Sequence, residues 1–170
     1  LTYRYTGEAV VTFVNNVNGT PEYYIQDATA GMLVKDDYQY LGSSYKAGDK
    51  LTGFIGNITS FFGVMSFVPA SSTLGRVVSE GNTAEPVTVT LAAVKASPKT
   101  YVNRLLKIEN AAITGVEEGA TFKEGMQQPT VTDATGEGKM RIFGGTSLIG
   151  KAVPSGTVSI TGISTSAGAV

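Results

Sequence analysis

The chain has 170 residues, with 13 Lys and Arg against 14 Asp and Glu, and it contains no His, Cys or Trp. Without His and Cys it can form no Ser-His-Asp triad, no imidazole or thiolate metal site and no disulfide framework. Apolar residues make up 42% of the chain and charged residues only 16%, so the chain can bury a core and lies far from the composition of disordered proteins.

The first part of the chain alternates between short strands and turn clusters. Its period-two pattern predicts five strands, which lie at 8–15, 22–27, 32–35, 51–59 and from 61 to Pro69. Between the third and fourth strands, residues 40–46 leave room for one short helix. We therefore predict a first domain at residues 1–72.

A stretch poor in bulky side chains follows, and we predict that residues 73–86 are a linker in which 76–78 could still pair with a sheet. The second domain is predicted at 87–170. The domain opens at 87–96 with a strand leading into a short helix, or with a helix alone. In either case Pro98 ends this first element. Further elements are predicted at the following positions: strands at 104–110, 129–133, 139–143 and 157–163, and a short helix at 146–150 with Thr146 as its N-cap.

The two halves share sequence features in the same order, which indicates an internal repeat. Asp27-Ala28-Thr29 recurs as Asp133-Ala134-Thr135, and Gly56 matches Gly162 at the same offset of 106 residues. The repeated positions Asp27, Thr29, Asp133 and Thr135, with Gly31, Gly56 and Gly162, are predicted to be structural turn and bend residues. The alternative for the two aspartates is a cation site, but no spacing typical of such a site occurs.

The segment from Tyr24 to Gly31, followed by Gly48-Asp49 and Gly56, resembles the tandem OB-fold-like modules of secreted and surface lipoproteins of Gram-negative bacteria. The second half departs from that pattern, because Ser155-Gly156 stands where the Gly-Asp turn is expected. The resemblance implies an all-β chain of two tandem OB-fold-like five-stranded Greek-key barrels with short helices. It also implies a location outside the cytoplasm, periplasmic or at the cell surface, with a lipid anchor and additional sequence upstream of Leu1. The rival architecture, a pair of immunoglobulin-like sandwiches, needs about 100 residues per domain, more than either half offers.

Aromatic residues are concentrated in the first half, where residues 1–78 hold twelve of the fifteen Tyr and Phe. If Ile25 points into the core, Tyr23 shares its face and Tyr24 and Gln26 face outward. A ligand-binding surface is therefore predicted from residues of the second and third strands, the loop after the third strand and the start of the fifth strand: Tyr24, Gln26, Lys35, Tyr38, Tyr40, Phe61 and Phe62. The alternative is that these rings form core and cross-strand pairs.

Nothing in the sequence predicts a catalytic residue, a cofactor or a metal site. The adjacent carboxylates Asp36-Asp37 and Glu117-Glu118 would point to opposite faces of a strand and are interpreted as solvated loop charges. We predict a non-catalytic binding module for a polymer, an oligosaccharide or a peptide, across strands two and three of the first barrel. The alternatives are a structural spacer and a single-stranded nucleic-acid-binding module, although neither half has the basic balance that nucleic-acid binding requires.

Overall fold

The computed structural model describes residues 1–41, 45–61, 63–71, 75–117, 119–125 and 129–165, with the backbone but not the side chain of Phe61. The chain is mostly β, as predicted. Its elements, in chain order, are β1 (Thr2–Arg4), β2 (Ala9–Val17), β3 (Thr20–Gln26), β4 (Gly31–Lys35), β5 (Lys50–Thr52), β6 (Ile55–Phe61), β7 (Val64–Pro69), β8 (Arg76–Ser79), β9 (Val87–Thr88), α1 (Leu91–Ala96), α2 (Pro98–Tyr101), β10 (Leu105–Thr114), β11 (Thr130–Asp133), β12 (Gly136–Lys139) and β13 (Val158–Ile163).

The first sheet curls so that its two ends are joined through one bent strand. β2, β3 and β4 form an antiparallel meander, β4 pairs in parallel with β7, and β7 pairs with β6. At the other end, β2 pairs with β5. Only Gly53 and Phe54 separate β5 from β6, and Gly53 has a φ of +80°, a conformation that glycine adopts at no steric cost. The single strand predicted at 51–59 is therefore broken at this bend.

Two further strands extend this sheet. β1, a strand that the sequence did not predict, pairs with β6. β8 pairs with β5, which confirms that residues 76–78 can join a sheet. Within the described part of residues 40–46 the chain forms turns and no helix.

The first half has a dense core inside the curled sheet. Alternate residues of β2, β3 and β4 point inward, and Phe54 at the bend is 2% exposed. The ring of Phe54 stacks on Tyr5 at 4.9 Å between centroids and meets Phe67 edge-on at 5.0 Å. Burial of each such side chain stabilises the fold by about 1.5–3 kcal/mol, so the bend is held by the core as well as by its glycine.

The second half contains a smaller sheet, in the order β12-β11-β10-β13, with β9 parallel to β10. Among the residues that the structure describes, its core cluster has three buried members: Ile108, Ala111 and Val131. The strand and helix predicted at 87–96 are both present, and Thr90 caps α1 by accepting a hydrogen bond from the Ala93 N–H. Pro98 occupies the first turn of α2, where its missing N–H costs nothing.

Two predictions for the second half are wrong. The strand predicted at 139–143 ends at Lys139, although Ile142 is still buried. Residues 146–150 form turns and not a helix. Thr146 Oγ1 accepts a hydrogen bond from the Leu148 N–H, so this side chain closes a turn where a helix cap was expected.

Candidate functional site

Alternation along β3 places its side chains as the sequence predicts, but the outer face is covered. Tyr23 and Ile25 belong to the core cluster of the first half. Tyr24 and Gln26 lie on the opposite face, yet they are only 5% and 8% exposed. The expectation that these two side chains face solvent is therefore wrong, because the second half of the chain packs over them.

Gln26 joins the two halves through its side-chain amide. Its Oε1 accepts a hydrogen bond from the Leu105 N–H at 2.7 Å, and its Nε2 donates to the Glu85 carbonyl at 3.2 Å. Close by, a Cβ added to Gly31 would lie 2.2 Å from the Asn103 carbonyl oxygen. Gly31 therefore permits the backbone of the second half to approach β4, a role beyond the bend predicted for it.

A row of aromatic rings continues this contact. Phe13 lies 6.4 Å from Tyr24 and stacks on Phe143 at 6.3 Å, and the Arg141 guanidinium lies 5.1 Å above the Phe143 ring. Burial, with a smaller contribution from the Glu22 carboxylate, raises the pKa of Tyr24 to about 12. Tyr24 is thus neutral at physiological pH and belongs to the contact between the halves.

An exposed pair of aromatic rings lies instead on the loop that follows β4. The rings of Tyr38 and Tyr40 stack at 5.2 Å between centroids and 19° between planes, an offset arrangement that aromatic pairs favour. Tyr38 is 70% exposed and Tyr40 is 37% exposed. The structure therefore brings together two of the predicted ligand-binding residues, and both are exposed. We call them the Tyr38–Tyr40 platform.

A buried carboxylate fixes the loop that carries this platform. Asp36 is 2% exposed, and its two oxygens accept hydrogen bonds from the N–H groups of Tyr40 at 2.8 Å and Leu41 at 3.0 Å. The interpretation of Asp36 as a solvated charge is wrong, whereas Asp37 beside it is exposed. Leu41 is itself buried in the core. The loop is therefore fixed at Asp36, before the two tyrosines, and at Leu41, after them.

The remaining predicted ligand-binding residues lie in other environments. Lys35, at the end of β4, forms an ion pair with Glu22 at 3.5 Å, a partly exposed pair that contributes little stability. Phe61 ends β6, but its side chain and the whole of Phe62 lie outside the described residues.

The repeated aspartates make the same turn in both halves. Oδ1 of Asp27 accepts hydrogen bonds from Thr29 N, Thr29 Oγ1 and Ala30 N. Oδ1 of Asp133 accepts from Thr135 N, Thr135 Oγ1 and Gly136 N. Each carboxylate thereby closes an Asx turn, and Asp133 also accepts a hydrogen bond from the Leu91 N–H at the start of α1.

These hydrogen bonds set the charge of both carboxyl groups. Burial alone would raise the pKa of Asp27, but the hydrogen bonds from Thr29, Ala30 and Tyr5 outweigh it and hold the pKa below its ordinary value. The Thr135 hydroxyl is the main cause of the lowered pKa of Asp133. Both groups are therefore ionised at neutral pH and have their oxygens occupied by protein donors. In the part of the chain that the structure describes, no cluster of three or more His, Cys, Asp or Glu could hold a metal ion.

A cavity of about 310 Å³ opens at one end of the first sheet. Most of its lining is apolar and comes from β1 and the residue after it, from β3 and β4, and from the bend and β6: Tyr3, Tyr5, Ile25, Met32, Phe54 and Ile58. Asp27 lies at its wall, where the Tyr5 hydroxyl donates to Oδ2 at 3.0 Å. The sequence assigned no element to the segment before Glu8, so the part that β1 and Tyr5 play in this cavity was missed.

Comparison with known proteins adds little to this description. No family model and no curated protein matches the chain. Among solved structures, it is similar to a murine DNA-binding protein bound to double-stranded DNA, with 13% sequence identity and a TM-score of 0.37. That match covers 86% of this chain and 78% of the murine chain. At such an identity and TM-score, the similarity carries no argument about fold or ligand. None of the described helices has the length and apolar character needed to span a membrane.

Proposed function

We propose that this chain is a non-catalytic module that binds an oligosaccharide on the Tyr38–Tyr40 platform. The observation that carries the proposal is the exposed, stacked pair of rings held on a loop by a buried carboxylate. The C–H face of a sugar ring packs on a flat aromatic ring and buries apolar surface there. Because Asp36 anchors the loop, little conformational entropy remains to be lost when a ligand binds.

The charges beside the platform favour a neutral ligand over a polyanion. Asp37 is exposed next to Tyr38, and the ammonium group of Lys35 is already paired with Glu22. Binding of nucleic acid rests on several cations that neutralise phosphates. The lysines described beside and within this loop, Lys35 and Lys46, are both already paired with carboxylates. An oligosaccharide is therefore the favoured polymer here, and nucleic acid remains the alternative that the experiment below must exclude.

The fold we propose for the first half is an OB-like barrel. The pairing order β2-β3-β4-β7-β6, with β5 returning to β2, supports it, because that order is the one in which a five-stranded Greek-key barrel closes. The ligand surface then lies on the loop after the third barrel strand and not on strands two and three, where the second half covers it. A location outside the cytoplasm and a relation to surface lipoproteins are part of the proposal and rest on the sequence resemblance alone.

A glycan array probed with the whole chain tests the proposal, followed by calorimetric titration of the best oligosaccharide. Tyr38→Ala is expected to weaken binding by about tenfold or more, since stacking on an aromatic ring contributes about 1–3 kcal/mol in single-stranded nucleic acids. Tyr3→Ala, which removes another exposed tyrosine ring, on β1, is the matched control and should bind as the unchanged chain does. Equal affinity for Tyr38→Ala, or binding of labelled single-stranded DNA that Tyr38→Ala abolishes, would contradict the assignment.

A second candidate function, a rigid spacer, is favoured by the contact between the halves. Tyr24 is buried there and Gln26 bonds across it, so the two sheets are held as one unit. A spacer needs no ligand on the platform. If no glycan and no single-stranded nucleic acid binds, and Tyr38→Ala leaves all properties unchanged, the spacer function replaces the binding function.

A further inference from the structure

The cavity at the end of the first sheet has an aromatic wall. Tyr3, Tyr5, Phe54 and Phe67 all line it, and three of them form one cluster, in which Phe54 stacks on Tyr5 and meets Phe67 edge-on. A Cβ added to Gly56 would lie 2.6 Å from the Phe67 ring, so the glycine permits this ring to lie close against β6. The wall is therefore built from rings that the core holds in place.

The mouth of the cavity is apolar as well. Tyr3 and Ile58 line the cavity, yet they are 45% and 38% exposed. The lining residues lie in stretches that the structure describes without a gap: 3–9, 25–32, 54–58 and 67. A volume of about 310 Å³ is at the lower end of the range of small-molecule sites. The cavity can therefore take up the apolar body of a small ligand.

One carboxylate stands at the wall of this cavity. Oδ1 of Asp27 accepts hydrogen bonds from the Asx turn that it closes, whereas Oδ2 accepts one from the Tyr5 hydroxyl at 3.0 Å. A carboxylate oxygen has two lone pairs, so Oδ2 can accept a further hydrogen bond. Among the residues that the structure describes, no Lys or Arg forms an ion pair with Asp27. Its charge is balanced by hydrogen bonds alone.

The two nearest arginines do not cancel this negative charge. Arg4 adjoins the cavity, but it is exposed and pairs with Ile55, so strand alternation places its side chain on the face opposite to that of Tyr3. Arg104 donates to the Thr29 carbonyl at 3.5 Å from the second half and is not among the residues that line the cavity. The charge that faces the aromatic wall is therefore negative.

We propose that this cavity binds a small primary amine with an apolar body. The ammonium group donates a hydrogen bond to Oδ2 of Asp27, and the body lies against the aromatic wall. A hydrogen bond between an ammonium and a carboxylate is about twice as strong as one between neutral groups, and aromatic faces attract a cation. Asp27 repels a ligand that carries a carboxylate. The site is separate from the Tyr38–Tyr40 platform, so the two proposals can fail independently.

Phenethylamine serves as the probe, with phenethyl alcohol and hydrocinnamate as the neutral and anionic controls of similar size. Each compound is titrated at pH 7 against the isotope-labelled whole chain and followed by amide NMR. The amine should saturate at about millimolar concentration, as expected for a ligand of so few atoms, with the largest shifts at Tyr5, Thr29 and Ala30. The alcohol should bind about tenfold more weakly, the effect of losing one hydrogen bond to a charged group, and hydrocinnamate should not bind.

Three results of this titration would overturn the proposal. They are equal affinities for the amine and the alcohol, no saturation at the solubility limit of the amine, and largest shifts at Tyr38 and Tyr40. The last result would place the amine on the platform and not in the cavity.

Asp27→Asn tests whether the carboxylate holds the amine. Asparagine retains an oxygen that can close the Asx turn but carries no charge, so the amine affinity should fall about tenfold and the alcohol affinity should not change. Asp133→Asn alters the equivalent turn of the second half and is the matched control, with no expected effect on binding. An unchanged amine affinity in Asp27→Asn, or an equal loss in both variants, would contradict the assignment.

Ile58→Ser tests the apolar wall and does not depend on whether Asp27→Asn folds well. The change removes apolar surface at the mouth, so the affinities for the amine and the alcohol should both fall by about threefold or more. Ile149→Ser removes a side chain of similar exposure, 42%, from the second half and should leave both affinities unchanged. If Ile58→Ser binds both compounds as the unchanged chain does, the amine does not occupy this cavity.

Discussion

The contact that Gln26 makes between the halves can be tested with Gln26→Leu. The replacement has nearly the same size but removes the acceptor of the Leu105 N–H and the donor to the Glu85 carbonyl. Gln26 is buried, so the Leu105 N–H is left without a partner where water does not reach easily. A buried polar group that loses its partner costs about 1–3 kcal/mol.

The two hydrogen bonds of Gln26 do not contribute equally. Glu85 is exposed, so water can take the place of the amide at its carbonyl oxygen. The net loss should therefore come mainly from Leu105 and stay at about 1–3 kcal/mol. For a chain of this length each kcal/mol lowers the melting temperature by about 2–4 °C.

Urea denaturation, followed by far-UV circular dichroism and by tyrosine fluorescence, measures the effect. Gln26→Leu should lower the free energy of unfolding, and two separated transitions would show that the halves have become uncoupled. Glu85→Ala retains the backbone carbonyl and should stay within about 0.5 kcal/mol of the unchanged chain. A stability for Gln26→Leu equal to that of the unchanged chain would refute the assignment of Gln26 as the link between the halves.

Two further predictions concern the repeated residues. Gly56→Ala should destabilise the chain by about 1–3 kcal/mol through overpacking against β7, while Gly162→Ala should leave the melting temperature unchanged; equal losses in the two variants would show that the space at Gly162 is filled. The pKa of Asp27 is lowered by folding, so its ionised form contributes stability that is complete above about pH 3.9 and is lost as the pH falls through the lower pKa of the folded state. Asp27→Asn should therefore be less stable than the unchanged chain at pH 7 in urea denaturation, and the difference should shrink below about pH 4; a difference that does not change with pH would show that the charge plays no part.

Much of the first half could be predicted from the sequence because its signals are local. Alternation separates Tyr23 and Ile25 from Tyr24 and Gln26, and the structure keeps that separation. The same alternation cannot show what lies against the outer face. Gln26 bonds to residues 59 and 79 positions away along the chain, and Tyr24 lies near the still more distant Arg141. No local pattern records such contacts.

The Tyr38–Tyr40 platform could likewise be predicted only in part from the sequence. Tyr38 and Tyr40 were among the predicted ligand-binding residues, but their stacking depends on the turn that Asp36 closes. Adjacent carboxylates such as Asp36-Asp37 are usually solvated, and nothing in the sequence marks one of them as buried. The platform became recognisable only when the fold placed Asp36 in the interior.

The sequence by itself determined the β class, most strand positions and the repeated Asx turns, because period-two alternation and side-chain-to-backbone hydrogen bonds act over a few residues. Only the tertiary structure decided which outer faces are covered, where an exposed aromatic pair remains and why Gly56 and Gly162 differ. These properties depend on what a distant part of the chain places against a residue. A Cβ at Gly56 would lie 2.2 Å from the Val68 oxygen of β7, whereas among the described residues a Cβ at Gly162 meets no atom within 4 Å. The two glycines therefore differ through what is packed against them and not through the residue itself.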